Sequence, residues 1–366
     1  MQRIASIAHR RFLRDTALAA GMNVAEADMV AEAMLWADLR ERTEYGLIRL
    51  PNVVARVRRG LMPSPARMQW TEVAPSAWQL DAGDASGFVA GTLAMRRAVE
   101  TAKTQGVGVV TVRRSVHYGA AAYYCDIAAE ADCIGLTCTN AVPKVAAFNG
   151  TRPVLGTNPL AFGCPTAGRH PVLVDMAFSS IAGSTVRAVE RNESLLPPDA
   201  ALDAQGHPTR DPVAAAAGAL LPAAGAKGYA LALMVEILSG VLSGAAVGPQ
   251  VGSVLHTWDQ PIDAGHFFLA IDISRFMPMD DFFSRLAGLM KWIKSSPSAD
   301  PDIPVRIPGE ARAEHARRNA EEGLQYTPAM IRSANALVDE FHVPPPWNPA
   351  ELKSIHDKTV GRAEAP

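Results

Sequence analysis

Residues 86–119 read SGFVAGTLAMRRAVETAKTQGVGVVTVRRSVHYG, and this stretch decides the fold class. The apolar residues of 86–105 recur with helical spacing, and Gly106 ends the predicted helix. The continuous apolar run 106–112 then predicts a buried strand. A Rossmann unit instead places G-x-G-x-x-G after a strand, where it opens a helix against a pyrophosphate. Because Gly106 and Gly108 open a strand here, the segment argues against a Rossmann fold.

Helical patterns lie towards both ends of the chain, and strand patterns lie in its middle. We therefore expect a mixed α/β, non-Rossmann fold with a central, mostly antiparallel or mixed sheet. A cofactor domain would span 76–275, and a helical domain for substrate binding and dimerisation would combine 1–75 with 276–366. Residues 191–222 are polar and turn-rich and predict a long loop. The helical patterns lie at 7–20, 24–42, 86–105, 119–131, 226–244, 279–294, 310–322 and 328–341, and the strand patterns at 70–81, 106–112, 133–139, 154–165, 171–174 and 265–273.

The composition is that of an ordinary globular protein. Of the 366 residues, 48% are hydrophobic and 20% are charged, and the length favours two domains. A net charge of −2 gives no attraction to nucleic acid or anionic membranes. The apolar stretch 229–242 is interrupted by Glu236 and is too short for a bilayer. Residues 1–22 have an amphipathic pattern rather than that of a signal peptide. We expect a cytoplasmic protein with neither nucleic-acid nor membrane partners.

The cysteine pattern predicts buried free thiols. Cys125, Cys133, Cys138 and Cys164 form no CxxC pair and lie in apolar surroundings. Zinc would need closer ligands and histidine partners, so we expect no metal site. A hydrolase that uses Cys125 or Cys164 would need a neighbour that stabilises a thiolate, and the sequence identifies none. The chain also lacks the P-loop, G-x-S-x-G and H-E-x-x-H motifs.

Two residues stand where strands end and could face a cleft. His117 follows the strand at 106–112 and precedes a helix, and its imidazole titrates near neutrality, which suits proton exchange with a carbinol oxygen. A helix-capping or core histidine is the more frequent alternative. Asp175 ends the apolar strand at 171–174 and could orient a histidine or bind cofactor hydroxyls. An aspartate there could equally cap the helix that follows.

Three further segments suit anionic ligands. Arg49 follows a glycine turn, and its planar guanidinium matches a carboxylate, although a surface ion pair is commoner. Lys227 and Gly228 open a long apolar helix, where amide donors, the helix dipole and a lysine favour a phosphate. A solvated lysine is the alternative. Pro308 to Glu310 open another helix, and the glutamate could accept hydrogen bonds from a ribose, although Pro and Glu are ordinary first-turn residues.

Taken in order, these segments resemble the type-2 malate/L-lactate dehydrogenase family. Each stretch alone is a weak signal, but together they span most of the chain. The matching stretches are WADLRERTEYGLIRLP, SVHYGAAAYY, TNAVPKVAAFNG, PVLGTNPLAFGCP, VLVDMAFS, LDAQGHPTRDP, GAKGYALALMVEILSGVLSGAA, GHFFLAIDISRF and IPGE.

The resemblance implies an enzyme that uses NAD or NADP on a non-Rossmann cofactor domain, as a homodimer. It assigns proton transfer to His117 and binding of the substrate carboxylate to Arg49. It also places a set of residues against the cofactor. These are Asn140, Asp175, Met176, Ala177, Lys227, Gly228, Pro308, Gly309 and Glu310.

One segment departs from the family pattern. Where the family usually reads D-S-H-G, this chain reads Thr43-Glu44-Tyr45-Gly46. Tyr45 thus replaces a histidine that acts as proton donor in several members, and Glu44 replaces a small serine next to the substrate. A phenol, with an ordinary pKa of about 10, can still donate a proton but is a poorer base near neutral pH. The change could redirect substrate choice, favour reduction or mark a weakened enzyme.

The mechanism expected from this resemblance is hydride transfer next to a carboxylate. Arg49 would bind the carboxylate of a small 2-oxo or 2-hydroxy acid, His117 and Tyr45 would supply the proton, and Asp175 would orient the imidazole or help to seat the cofactor. A cyclic imine carboxylate is the alternative substrate. A second alternative is a family member that binds the cofactor without efficient turnover.

Overall fold

The computed structural model describes residues 3–168, 170–191 and 193–347. The part of the predicted helical domain at 348–366 therefore lies outside the described residues. The helices are α1 (Ser6–Ala19), α2 (Val24–Leu39), α3 (Leu50–Arg58), α4 (Gly87–Gln105), α5 (Ala121–Glu130), α6 (Gly183–Arg191), α7 (Pro212–Ala217), α8 (Ala226–Glu236), α9 (Met279–Lys294), α10 (Glu310–Glu322) and α11 (Pro328–Phe341). The strands are β1 (Arg3–Ile4), β2 (Gln69–Ala74), β3 (Ala77–Asp81), β4 (Val107–Ser115), β5 (Cys133–Thr139), β6 (Val145–Ala146), β7 (Pro153–Leu155), β8 (Leu160–Cys164), β9 (Val172–Met176), β10 (Ala201–Leu202), β11 (Pro208–Thr209), β12 (Ala219–Leu220), β13 (Ala264–Asp272) and β14 (Leu324–Gln325).

The larger sheet confirms the mixed, non-Rossmann fold class. Among the described residues its strand order is β2-β3-β4-β13-β5-β8-β9, and only the β3–β4 pair is parallel. The late strand β13 lies antiparallel between β4 and β5. It therefore joins two strands that precede it by more than a hundred residues.

The G-V-G segment packs a helix against this sheet. Gly106 ends α4, and Gly108 lies in β4. A Cβ at Gly108 would lie 2.1 Å from the Ala98 carbonyl oxygen. The second glycine therefore allows α4 to approach β4 closely. The sequence-based conclusion that this segment is not a nucleotide loop agrees with this packing.

Two predictions about local structure were wrong. The predicted loop at 191–222 contains α7 and the short strands β10, β11 and β12, which pair with β6 and β7 in a second sheet of order β11-β10-β12-β6-β7. Strands of two residues are too short to show alternation in a sequence. The predicted helix at 226–244 ends as an α-helix at Glu236 and continues as a π-helical turn at Ile237–Val241.

The helical hairpin at the N-terminus was predicted correctly. Asn23 precedes α2, and its side-chain oxygen accepts a hydrogen bond from the Glu26 amide at 3.0 Å. This bond satisfies one of the free amide donors at the start of a helix.

Contacts within the chain divide it into two compact units. The first unit combines the described parts of 1–60 and 312–366, and the second comprises the described parts of 61–311. Strand β2 belongs to the second unit because it pairs with β3 in the larger sheet. The division proposed from the sequence, at 75 and 276, stays a prediction. Within the described residues, no helix is both long and apolar enough to cross a membrane.

A buried histidine lies in the core of the larger sheet. His266 is fully buried, and its ring stacks on Tyr118 with centroids 4.5 Å apart. Its Nδ1 lies 2.7 Å from the Thr139 hydroxyl, and its Nε2 lies 2.8 Å from the Ser115 hydroxyl. Burial lowers the pKa of His266 from 6.5 to about 3, so the imidazole is neutral in the folded protein near neutral pH.

We expect His266 to make the protein less stable as the pH falls. Between pH 6.5 and about 3, the unfolded chain binds a proton at this residue that the folded protein does not. The free energy of unfolding should therefore fall by up to about 1.4 kcal/mol per pH unit from this residue alone. Urea unfolding at pH 7, 6, 5 and 4 measures the slope. His266→Gln should show a shallower slope, whereas a control at the exposed His207, His207→Gln, should keep the parent slope. Equal slopes in parent and His266→Gln would contradict the assignment.

Candidate functional site

Three segments predicted to bind the cofactor lie along the edge strand β9. At the start of β9, the Leu173 amide donates to the Pro308 carbonyl at 3.1 Å. Beyond its end, the Ala223 amide donates to the Phe178 carbonyl at 2.9 Å, just before Lys227 and Gly228 open α8. The second unit thus brings Pro308–Glu310, Asp175–Ala177 and Lys227–Gly228 to one edge of the larger sheet.

The start of α8 suits an anion. Gly225 occupies the N-cap with φ of +63°, and this residue has no side chain to cap the first turn. Lys227 is exposed, whereas Gly228 is buried against Ala223. Backbone amides, the positive end of the helix dipole and the lysine together form a donor set that fits a phosphate group. This donor set would accommodate the pyrophosphate of a dinucleotide.

The carboxylate of Glu310 is engaged by protein groups. Its Oε2 accepts a hydrogen bond from the Ile307 amide at 3.0 Å, and its Oε1 pairs with Lys294. Burial alone would raise the pKa of Glu310, but Lys294 and the Ile307 amide lower it below its ordinary value. The carboxylate therefore fixes the turn that carries Pro308 and Gly309, and Gly309 packs against Leu173 of β9.

A cavity adjoins this turn. It has a volume of about 550 Å³ and lies between α9 and the residues that follow β8. Lys294, the partner of Glu310, forms part of its wall. The cavity is lined by Thr166, Ala167, Phe283, Leu286, Ala287, Met290, Lys291, Lys294 and Ser295.

His117 lies in the turn between β4 and α5, as predicted. It is partly exposed, and its Nδ1 accepts a hydrogen bond from the Gly119 amide at 3.2 Å. The Phe88 ring lies edge-on to the imidazole at 6.4 Å. Because Nδ1 accepts a hydrogen bond, a neutral His117 carries its proton on Nε2.

Asp175 and its neighbours end β9. The Asp175 Oδ2 accepts a hydrogen bond from the Ala122 amide at 3.4 Å, in the first turn of α5. The carboxylate thus lies at the start of the helix that follows His117, which is a favourable place for a negative charge. Met176 is 46% exposed and Ala177 is partly buried, so the end of β9 offers an apolar surface.

The side chain of Asn140 belongs to a buried network. Its Nδ2 donates to the Ala246 carbonyl at 2.8 Å and to Glu236 Oε1 at 3.3 Å, and its Oδ1 accepts from the Gly265 amide at 2.9 Å. Both amide protons are therefore used within the protein. The backbone amide of Asn140 also donates within the protein, to the Gly265 carbonyl at 3.3 Å.

Glu236 is the acceptor at the centre of this network, and its role was not predicted. Its Oε2 accepts from Asn158 Nδ2 at 2.8 Å, and its Oε1 accepts from the Gly248 amide at 2.8 Å as well as from Asn140. The carboxylate joins α8 to the end of β5 and to the turn before β8. The signal in the sequence was a single glutamate inside an otherwise apolar helix.

In the first unit, Arg42 engages the segment that departs from the family pattern. The Arg42 Nε donates to Glu44 Oε1 at 3.1 Å, and the Arg42 guanidinium lies 5.0 Å from the centre of the Tyr45 ring. The charge of Glu44 is thus balanced by Arg42, and the same guanidinium contacts the phenol ring. Arg49 ends a 3₁₀ turn, Leu47–Arg49, directly before α3.

A buried cluster that was not predicted lies behind this segment. The Asp38 Oδ2 accepts from the Leu47 amide at 2.8 Å and lies 2.9 Å from His9 Nε2. The His9 Nδ1 in turn contacts the Tyr326 hydroxyl. Burial raises the pKa of Asp38, although the hydrogen bond to His9 opposes the rise. These three residues are distant in sequence, and no single motif joins them.

The cysteines are buried free thiols, as predicted. Burial raises the pKa of Cys138 and of Cys164 to about 11, and it also raises the pKa of Cys125 well above its ordinary value. A raised pKa opposes thiolate formation. This observation disfavours the alternative of a cysteine hydrolase.

Comparisons with known proteins identify similar sequences along nearly the whole chain. The sequence model of the malate/L-lactate dehydrogenase family matches residues 5–334. The chain is 36% identical to L-sulfolactate dehydrogenase of Methanothermobacter thermautotrophicus over 325 residues, which cover 88% of this chain and 93% of that protein. It is 32% identical to (2R)-3-sulfolactate dehydrogenase (NADP(+)) of Chromohalobacter salexigens, with coverages of 92% and 98%. It is 34% identical to ureidoglycolate dehydrogenase (NAD(+)) of Escherichia coli strain K12, with coverages of 84% and 87%.

Solved structures share the fold. The delta1-piperideine-2-carboxylate reductase of Pseudomonas syringae has a TM-score of 0.84 and 27% sequence identity. The similarity covers 92% of this chain and all of that one.

We expect Glu236 to be essential for stability. Glu236→Ala would leave the amides of Asn140, Asn158 and Gly248 without their carboxylate acceptor, and it should lower the free energy of unfolding by about 3 kcal/mol or more. Glu236→Gln should also destabilise, because its amide group would face amide donors. Chemical denaturation measures both variants. Glu72→Ala, at an exposed position of β2, is the control and should change stability by less than about 0.5 kcal/mol. If Glu236→Ala lowers the free energy of unfolding as little as the control does, Glu236 is not essential for stability.

Proposed function

The chain belongs to the malate/L-lactate dehydrogenase family, and we propose that it is an oxidoreductase that uses NAD or NADP. It transfers hydride to or from the carbon next to the carboxylate of a small 2-oxo or 2-hydroxy acid. The observation that carries this proposal is the meeting of three predicted cofactor segments along β9, in a chain that matches the family over residues 5–334.

We assign the cofactor to the edge of the larger sheet. Lys227 and the amides at the start of α8 would bind the pyrophosphate, and Asp175–Ala177 and Pro308–Glu310 would line the nucleotide. Asn140 would act on the cofactor by fixing the position of α8 through Glu236. The bound nicotinamide supplies a carbon that accepts or donates hydride. Relatives that carry NAD(+) and NADP(+) in their names support either cofactor.

We assign proton transfer to His117. In the neutral form, Nε2–H donates a hydrogen bond to the oxygen on the reacting carbon and polarises the C=O bond. Complete transfer of a proton to that oxygen starts from the charged imidazole. In that form Nδ1 also carries a proton and no longer accepts the hydrogen bond from Gly119. Proton delivery from the charged form therefore requires this contact to break.

The first unit provides the residues that we assign to the substrate. Arg49 would bind the substrate carboxylate through its planar guanidinium. Tyr45 would add a phenol donor, and Arg42 keeps its ring in place. Glu44 would act on the substrate only through its ion pair with Arg42, since that pair balances its charge.

We further propose that the enzyme is a cytoplasmic homodimer without nucleic-acid or membrane partners. Four free thiols that are all buried suit a reducing compartment. The helix that starts at Ala226 exposes a continuous apolar surface, as a subunit interface would require. The exposed large apolar residues of this helix and of the turn that follows it are Leu231, Leu233, Met234, Ile237, Val241 and Leu242.

A cyclic imine carboxylate is the second candidate substrate. The similarity to a piperideine-2-carboxylate reductase supports it, since a C=N bond next to a carboxylate needs the same positions for hydride, proton and carboxylate. A family member with weakened turnover is the remaining alternative, motivated by Glu44 and Tyr45.

A panel of substrates tests the proposed activity. Oxaloacetate, pyruvate, 3-sulfopyruvate and Δ1-piperideine-2-carboxylate are each mixed with NADH and with NADPH, and the loss of absorbance of the reduced cofactor is followed. We expect oxidation of at least one cofactor with at least one acid, and Tyr45→His should change the ranking of the acids. Quenching of protein fluorescence by NADH or NADPH without turnover would identify a binding-only member. If neither cofactor binding nor turnover is observed, the proposal is rejected.

His117→Ala tests the proton-transfer role. We expect kcat for the best acid of the panel to fall about 10²–10⁴-fold, because general acid–base catalysis typically contributes that much. Binding of the reduced cofactor, measured by fluorescence, should change less than about twofold. His256→Ala, at an exposed histidine of the same unit, is the control and should keep the parent kcat. A loss below about tenfold for His117→Ala would remove this residue from proton transfer.

A further inference from the structure

We propose that Asp38 is the positioning residue of the substrate turn, which we define as Tyr45–Arg49. Its buried carboxylate fixes the backbone that carries Arg49, and His9 and Tyr326 fix the carboxylate. The inference rests on the proposed function, in which Arg49 binds the substrate carboxylate.

The carboxylate contacts the middle of the substrate turn in two ways. Its Oδ2 accepts the hydrogen bond from the Leu47 amide at 2.8 Å. Its Oδ1 lies against Gly46, where an added Cβ would be 2.1 Å from that oxygen. The carboxylate therefore occupies the space that a side chain at position 46 would need. Tyr45 directly precedes these two contacts, and Arg49 follows them by two residues.

The carboxylate is itself held in one orientation. The His9 Nε2 lies 2.9 Å from Asp38 Oδ2, and the His9 Nδ1 contacts the Tyr326 hydroxyl. His9 belongs to α1, Asp38 to α2, and Tyr326 directly follows β14. The side chains of His9 and Asp38 are fully buried, and Tyr326 is 3% exposed. The turn is thus fixed through rigid elements from both ends of the chain.

The energetics favour a role in geometry over one in stability. Burial of a carboxylate is costly, and its Oδ1 accepts no hydrogen bond from the described residues. An apolar residue of similar volume would avoid this cost, but it could not accept the Leu47 amide. A functional side chain must be held within about 0.5 Å of its productive position by supporting hydrogen bonds. Asp38 provides such a bond two residues before Arg49.

Asp38→Asn and Asp38→Ala separate positioning from simple packing. Asparagine keeps one oxygen that can accept the Leu47 amide, whereas alanine keeps none. For Asp38→Ala we expect faster hydrogen exchange in 43–50 and a KM for the best acid of the panel raised about 10–100-fold. Binding of the reduced cofactor should change less than about twofold. Asp38→Asn should recover at least half of the change in log KM.

Asp28→Ala is the matched control. Asp28 lies on the same helix, is partly exposed and pairs with Arg10 and Arg14. This variant should change neither the exchange of 43–50 nor KM. Unchanged exchange in 43–50 for Asp38→Ala, or faster exchange with an unchanged KM, would overturn the inference.

Gly46→Ala tests the steric contact without removing the carboxylate. The new Cβ would collide with Asp38 and displace the substrate turn, so exchange of 43–50 should accelerate. In the double variant Asp38→Ala/Gly46→Ala the collision is absent. We therefore expect its exchange to match that of Asp38→Ala alone, with non-additive effects. Additive effects on exchange would show that position 46 and the Asp38 carboxylate are not in steric contact. These exchange data do not depend on turnover. A parent protein without activity would reject the proposed function, and the exchange data would still test whether Asp38 positions the substrate turn.

Discussion

The antiparallel pairing of β13 with both β4 and β5 is the constraint on which the second unit depends. The strand lies between two others that are joined by α5, and it brings His266 against Ser115 and Tyr118, on either side of His117 in sequence. The stack of His266 on Tyr118 then lies one residue from His117. The position of the proposed proton donor therefore depends on a strand that is about 150 residues later in the chain.

Buried carboxylates have similar structural roles in the two units. Glu236 receives amide donors from three segments in the second unit, and Asp38 receives one from the substrate turn in the first. Neither carboxylate is on the surface, and each lies next to residues that we assign to a ligand. In both cases burial of the charged carboxylate costs stability, and the carboxylate fixes the conformation of the neighbouring backbone.

The sequence predicts local structure well where a pattern is long. The bounds of β5, α9, α10 and α11 match their predicted limits, because each has a sustained period or clear end signals. The two-residue strands β10, β11 and β12 offer no such period, and the π-helical turn after α8 keeps a helical pattern of side chains. Local sequence signals could therefore predict neither the two-residue strands nor the π-helical turn.

The candidate site likewise contains residues that the sequence could identify and residues that only the folded structure reveals. His117 follows the end of a strand and Lys227 lies in the first turn of a helix beside Gly228, so the sequence could identify them. The Asp38–His9–Tyr326 cluster joins positions up to 317 residues apart, and only the folded chain brings them together. The ion pair between Glu44 and Arg42 was also not predicted from the sequence.

The gathering of separate segments along β9 affects how cofactor preference could be redesigned. In a Rossmann enzyme, one continuous glycine-rich loop and one acidic residue about 20 residues later bind the pyrophosphate and the ribose. Here the proposed nucleotide residues come from three segments more than forty residues apart in sequence. One is the end of β9, and main-chain hydrogen bonds tie the other two to β9 and to the residues just after it. A transplanted segment would have to preserve those bonds, so a switch between the two dinucleotides calls for coordinated point changes rather than a graft.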